Sequence, residues 1–222
     1  MKPCTLALFI GAAIALPNPG FADAANATSP TVQTITQPSK LNQIAENYFE
    51  QRIQLNPLEG SDTTGEERFE DKLEITIAPA NIKKQKQLVE RTLSQLKKID
   101  SKTLNHQDLI SFRMLKQQLE MQQEDDKYPS QLAPINQLHN FPVEIAQFGS
   151  GQDIQPLKTP ANYDHYLARL NKLPDWIDQA ISNMQQGIKR GIVQPQALIN
   201  STLPSLKALT NSDVEQNPYY TA

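Results

Sequence analysis

The stretch TPANYDHYLARLNKLPDWIDQAISNMQQGIKRGIVQPQALI, residues 159–199, decides the fold class. Thr159 followed by Pro160 makes an N-cap and a first turn, because the threonine hydroxyl satisfies a free amide and proline has no amide to lose. Pro174 restarts a helix through Trp176, Ile177, Ala180, Ile181 and Met184, whose spacing keeps apolar groups on one face. Pro195 opens another with Leu198, Ile199, Leu203, Leu206 and Leu209. Three helix starts in so short a span, with no alternating run between them, predict helices packed on helices.

The glycines around Lys189-Arg190 raise a second question, since Gly-rich turns also bind anions. Anion sites need free backbone amides, which helix N-termini supply, whereas Gly187 and Gly191 follow an apolar stripe and sit at a helix end. Cations there suit the C-terminal carbonyls, and Gly191 suits a left-handed cap. A phosphate loop would also need a preceding strand and a Lys-Ser or Lys-Thr step, and this stretch has neither. It reads as a joint between helices.

Working outward, Ser39 caps a helix in which Leu41, Ile44, Ala45, Tyr48, Phe49 and Ile53 follow three-and-four spacing, and Pro57 ends the pattern. LEGSDTTGEERFEDKLEITIA, residues 58–78, has no sustained period and reads as a long loop, with one extended run at Leu73–Ile77. Pro79 opens a helix carrying Ile82, Leu88, Val89, Leu93, Leu96 and Ile99. Asn105 caps another that carries Leu109, Phe112, Leu115 and Leu119. Their short connection predicts an antiparallel αα-hairpin. A second irregular region from Tyr128 to Thr159 is too long to be structureless in a compact domain, so short helical turns are expected inside it. The expectation is an all-α fold, an irregular bundle of about six helices including an αα-hairpin, with two long loops.

MKPCTLALFIGAAIALPNPGFADA, residues 1–24, has a basic start, an apolar run from Thr5 to Leu16 and a small-x-small site at Ala22–Ala24, the pattern of a secretory signal peptide. The apolar run is short of the roughly 20 residues that span a bilayer, so no stable membrane anchor is expected after cleavage. Residues 25–39 are small, polar and proline-broken, a flexible leader, and 40–222 form the helical domain. The location implied is periplasmic or secreted. Cys4 is the one cysteine and falls in the signal segment, which excludes thiol catalysis and thiolate zinc sites from the mature chain. A net charge of −3 with 38% hydrophobic residues asks for no nucleic acid.

A helical zinc site needs ligands one turn apart, and His106, His139 and His165 have no such neighbours. His106 falls beside a cap, His139 in a loop, and His165 in a helix next to Asp164. Phe148-Gly149-Ser150-Gly151 lacks the strand-turn-helix context of a serine nucleophile and reads as a flexible loop. Glu66, Glu67, Glu70 and Asp71, like Glu124, Asp125 and Asp126, read as solvated faces; the second run sits poorly at a helix C-terminus and should fray or find Lys127. Tyr48, Phe49, Phe112, Tyr163, Tyr166 and Trp176 fall on helical stripes and are assigned to the core. No catalytic, cofactor-binding or metal-binding residue is assigned.

These pieces resemble the N-terminal part of the bacterial domain of unknown function 885 family. The resemblance rests on YFEQRIQLNPLEGSDTTGEERFEDKL (48–73), LNHQDLISFRMLKQQLE (104–120), the 159–199 stretch and NPYY (217–220). The most specific feature is Asp164, Leu167, Arg169 and Leu170 leading into the Gly-Ile-x-x-Gly joint; Glu67 stands where the family often has a histidine. Full-length members look like α-helical zinc metallopeptidases whose H-E-x-x-H helix follows the matched region. The resemblance therefore implies a truncated, noncatalytic helical region that would wall a substrate cleft, with zinc expected only in a full-length relative. A free-standing adaptor that binds a peptide or partner protein is the alternative, and a small enzyme using the scattered histidines ranks last. The first reading predicts apolar stripes left exposed on one face.

Overall fold

The computed structural model describes residues 39–151 and 154–221. The signal segment and the leader, apart from Ser39, lie outside the described residues. The helices are α1 (Lys40–Leu55), α2 (Pro57–Thr64), α3 (Pro79–Leu96), α4 (His106–Asp125), α5 (Phe141–Gln147), α6 (Pro160–Leu170), α7 (Leu173–Lys189), α8 (Gln196–Ala208) and α9 (Pro218–Thr221). Five short 3-10 turns connect them, and no strand occurs among the described residues. The fold is all-α.

Three of the long helices, α1, α4 and α6, begin at a side-chain cap, and α3 and α7 begin with a proline in the first turn. Ser39 accepts from the amide of Asn42, Asn105 from that of Asp108, and Thr159 with Asn162 forms a reciprocal capping box. Lys86 on α3 donates to the carbonyl of Asp126 just past α4, so the chain doubles back as an αα-hairpin. Beneath it Leu41, Ile44 and Tyr48 of α1 meet Leu88, Val89, Leu93 and Leu96 of α3 and Leu119 of α4 in one buried cluster. Burying each such leucine is worth about 1.5–3 kcal/mol over leaving it in water. A second cluster gathers Leu73, Ile145, Phe148, Tyr166 and Leu173. At its border the rings of Phe141 and Trp176 pack with centroids 4.8 Å apart.

Several expectations need correction. Residues 57–64 form α2 and are not loop: Pro57 closes one helix and, having no amide to satisfy, also opens the next, which Gly65 ends at φ +64°. The Leu73–Ile77 run is turn and irregular backbone, because Thr76 and Ala78 bond back to Glu74 and Ile75, and the Ile77 carbonyl accepts from the Asn183 side chain at 2.9 Å. Phe148–Ser150 is a 3-10 turn with Phe148 buried, closed by Gly151 in the left-handed region. Phe49 and Tyr163, assigned to the core, are about half exposed, at 42% and 53%. Short helical turns do occupy the second irregular region, in α5 and the flanking 3-10 turns.

The 185–199 joint is a Schellman motif. Ile192 donates to the carbonyl of Gly187 and Gly191 to that of Ile188, with Gly191 at φ +70°. Gly187 is still helical and buried, inside α7 and not at its end. An added Cβ at Gly191 meets nothing within 4 Å, so only backbone strain opposes a side chain there. Gly191→Val should lower stability by roughly 1–2 kcal/mol; an unchanged midpoint in a urea titration would rule out the left-handed cap.

Candidate functional site: a buried arginine node and an apolar groove

Arg169 on α6 is fully buried, at 0% exposure. Its guanidinium donates to the carbonyls of Lys72 (3.1 Å) and Phe69 (2.8 Å), to Gln155 Oε1 (2.7 Å) and to the Ser61 hydroxyl. These acceptors come from α2, the turn after it and the segment before α6, and α6 supplies the guanidinium. Burial brings the guanidinium pKa down to about 10, partly countered by the nearby charges of Glu70 and Asp71, and the group remains a cation at neutral pH. Glu70 is not on a solvated face as expected. It is buried, and its Oε2 accepts from Asn162 Nδ2 at 3.0 Å and lies 3.2 Å from His165 Nδ1. Glu66, Glu67 and Asp71 are exposed as expected. The node is a tie between segments far apart in sequence.

His165 thus meets Glu70, whereas His106 stands in the first turn of α4 and His139 in the exposed turn before α5. Among the described residues no three His, Cys, Asp or Glu side chains stand close enough together to hold a metal ion. The donors present do not fit the catalytic zinc site that the resemblance implies for full-length relatives. Lys127 pairs with Glu124 past the acidic end of α4, offsetting the unfavourable charge there.

The concave apolar surface lies elsewhere. One cavity of about 310 Å³ lies between the C-terminal half of α7, α8 and the Leu132–Asn136 segment. A second, of about 580 Å³, continues along α7 to Leu173 and reaches Tyr219. Ile135, Met184 and Leu206 line both, so they form one groove. Ile181 (45% exposed), Ile188 (67%), Ile199 (42%) and Leu203 (42%) stand open along it. On α8 only Thr202 is buried, so most of its apolar surface faces solvent or the groove. Sequence reading found the apolar stripes of α7 and α8; it missed Ser61, Gln155 and Glu70, whose positions depend on α2, and the Pro57 and Gly65 boundary signals were the available clue.

Tyr219 closes one end of the groove and donates to the Pro142 carbonyl at 2.9 Å. Burial pushes its phenol up to about 12, and Tyr166 adds to the rise. A folded pKa above the unfolded value of 10.0 means this contribution is intact below pH 10 and lost as pH climbs through about 12. Ultraviolet titration of tyrosinate should show a late-ionising component missing from Tyr219→Phe; identical curves for the two proteins would contradict it.

Residues 59–222 match the model of the family described as bacterial protein of unknown function (DUF885), from within α2 through α9. The chain belongs to the DUF885 family. No curated protein and no solved structure matches it. The most specific part of the resemblance, Asp164 to Leu170, spans the arginine that ties this DUF885 chain together.

Proposed function

We propose that this DUF885 chain is an exported, noncatalytic helical region of a metallopeptidase-like architecture, located in the periplasm or secreted, and that its α7–α8 groove is where the rest of that architecture packs. The groove carries the reading. Exposed apolar side chains grouped along one concave surface, here Ile181, Ile188, Ile199 and Leu203, are the kind of feature that marks interaction sites. The reading is also supported by Arg169, which is engaged in holding segments together and not in presenting charge to a ligand.

The test is an environment-sensitive dye titrated into the intact chain. Its emission should rise and saturate, and Ile188→Glu combined with Leu203→Glu should abolish the rise while leaving the far-ultraviolet circular dichroism unchanged. A dye that stays dark with the parent chain would remove the support for an uncovered groove.

A further inference from the structure

We infer that Met184 is an oxidation site, and that its conversion to the sulfoxide by a peroxide weakens apolar packing in the α7–α8 groove; the inference rests on the proposed role of that groove. Among the described residues the sulfur atoms are those of Met114, Met121 and Met184. Met184 lines both cavities, together with Ile135 and Leu206. It is half-buried, yet the groove is open to solvent along Ile181 and Ile188. Cavities of about 310 and 580 Å³ have ample room for hydrogen peroxide, a solute about the size of two waters at roughly 30 Å³ each.

In the reaction one oxygen atom passes from the peroxide to a sulfur lone pair. The O–O bond breaks, an S–O bond forms, water leaves, and the sulfur is oxidised by two electrons as the peroxide is reduced. A flexible apolar side chain becomes a polar, chiral one. The groove has little to offer the new oxygen. Its hydroxyls, on Thr202, Thr210 and Tyr219, already donate to the carbonyls of Leu198, Lys207 and Pro142, and the Gln194 amide donates to that of Ala133. An apolar occupant would strip water from the sulfoxide and return few hydrogen bonds. Met114 and Met121 supply the contrast. They lie about two turns apart on α4, are 45% and 59% exposed, and line neither cavity. Their sulfoxides stay in water, so the same chemistry there leaves the groove unchanged. Being more exposed, they also compete with Met184 for a limiting oxidant.

Hydrogen peroxide titrated into the intact chain provides the test, with peptide mass mapping to place each added oxygen and the environment-sensitive dye to report on the groove. Chains oxidised at Met114 and Met121 alone should bind the dye as the untreated chain does. Oxygen on Met184 should weaken dye binding about tenfold or more while the far-ultraviolet circular dichroism stays unchanged. Met184→Leu should keep its dye affinity after full oxidation. Met184→Gln, with a polar tip in place of the thioether, should bind the dye weakly with no oxidant added. Dye affinity that survives oxygen on Met184, a Met184 left unmodified once excess peroxide has converted Met114 and Met121, or loss of helix on its oxidation would each overturn the inference. An untreated chain that leaves the dye dark removes instead the uncovered groove beneath it.

Discussion

Arg169→Met should lower the unfolding free energy by about 3–5 kcal/mol, because the cation leaves while its buried partners remain. The carbonyls of Phe69 and Lys72 and the Gln155 side chain would lose their donor, the first and last of them buried, and Ser61 would lose its partner. Methionine roughly matches the aliphatic volume, so the loss measures hydrogen bonding more than packing. Arg169→Lys should recover only part of it, since a single ammonium lacks the planar fork that reaches four acceptors. Equilibrium urea unfolding provides the measurement, and a loss under 1 kcal/mol for the methionine variant would mean the node is not tied as described.

Gly187→Ala should be the second large effect, roughly 1–3 kcal/mol. A Cβ built there comes within 2.6 Å of the Ile192 carbonyl and 2.8 Å of the Leu132 carbonyl. Both are backbone atoms, so neither can rotate aside. The helix favours alanine over glycine by about 1 kcal/mol, which works in the opposite direction. A net destabilisation is therefore the clash less the helix gain and sets a lower bound on the clash, and an alanine variant more stable than the parent would show that α7 and the Leu132 segment do not approach this closely.

The long helices were legible because their signals are local. A cap, an apolar stripe and a proline or glycine at the boundary lie within a few residues of one another, as at Thr159–Pro160 and Gly191. The same locality explains the errors. Pro57 satisfied the rule for ending α1, and its second role opening α2 could be seen only by weighing Gly65 eight residues on. Leu73–Ile77 has strand-like composition, but its fate was settled by the Asn183 side chain, about a hundred residues away. Glu70 sits among carboxylates that are solvated, and nothing near it in sequence indicates that Asn162 and His165 come to meet it. Phe49 and Tyr163 keep helical spacing yet fall at the edge of their stripes, where a few degrees of helix rotation separate core from solvent. The candidate groove was legible as stripes on α7 and α8, while its concavity depends on how Leu132–Asn136 lies beneath them.

The arginine node also imposes an order on folding. The α1, α3 and α4 cluster is made from residues 41 to 119, and much of its closure is between neighbouring helices. The partners of Arg169 begin at Ser61, 108 residues earlier in the chain. Contacts across so long a separation carry a large loop-closure cost and form late unless something else has already brought the ends together. Until α6 docks, the Ser61 hydroxyl on α2 and the Phe69 and Lys72 carbonyls after it lack the guanidinium they meet in the folded chain, so the first three-helix cluster can assemble as a kinetic unit while the second waits for residue 169.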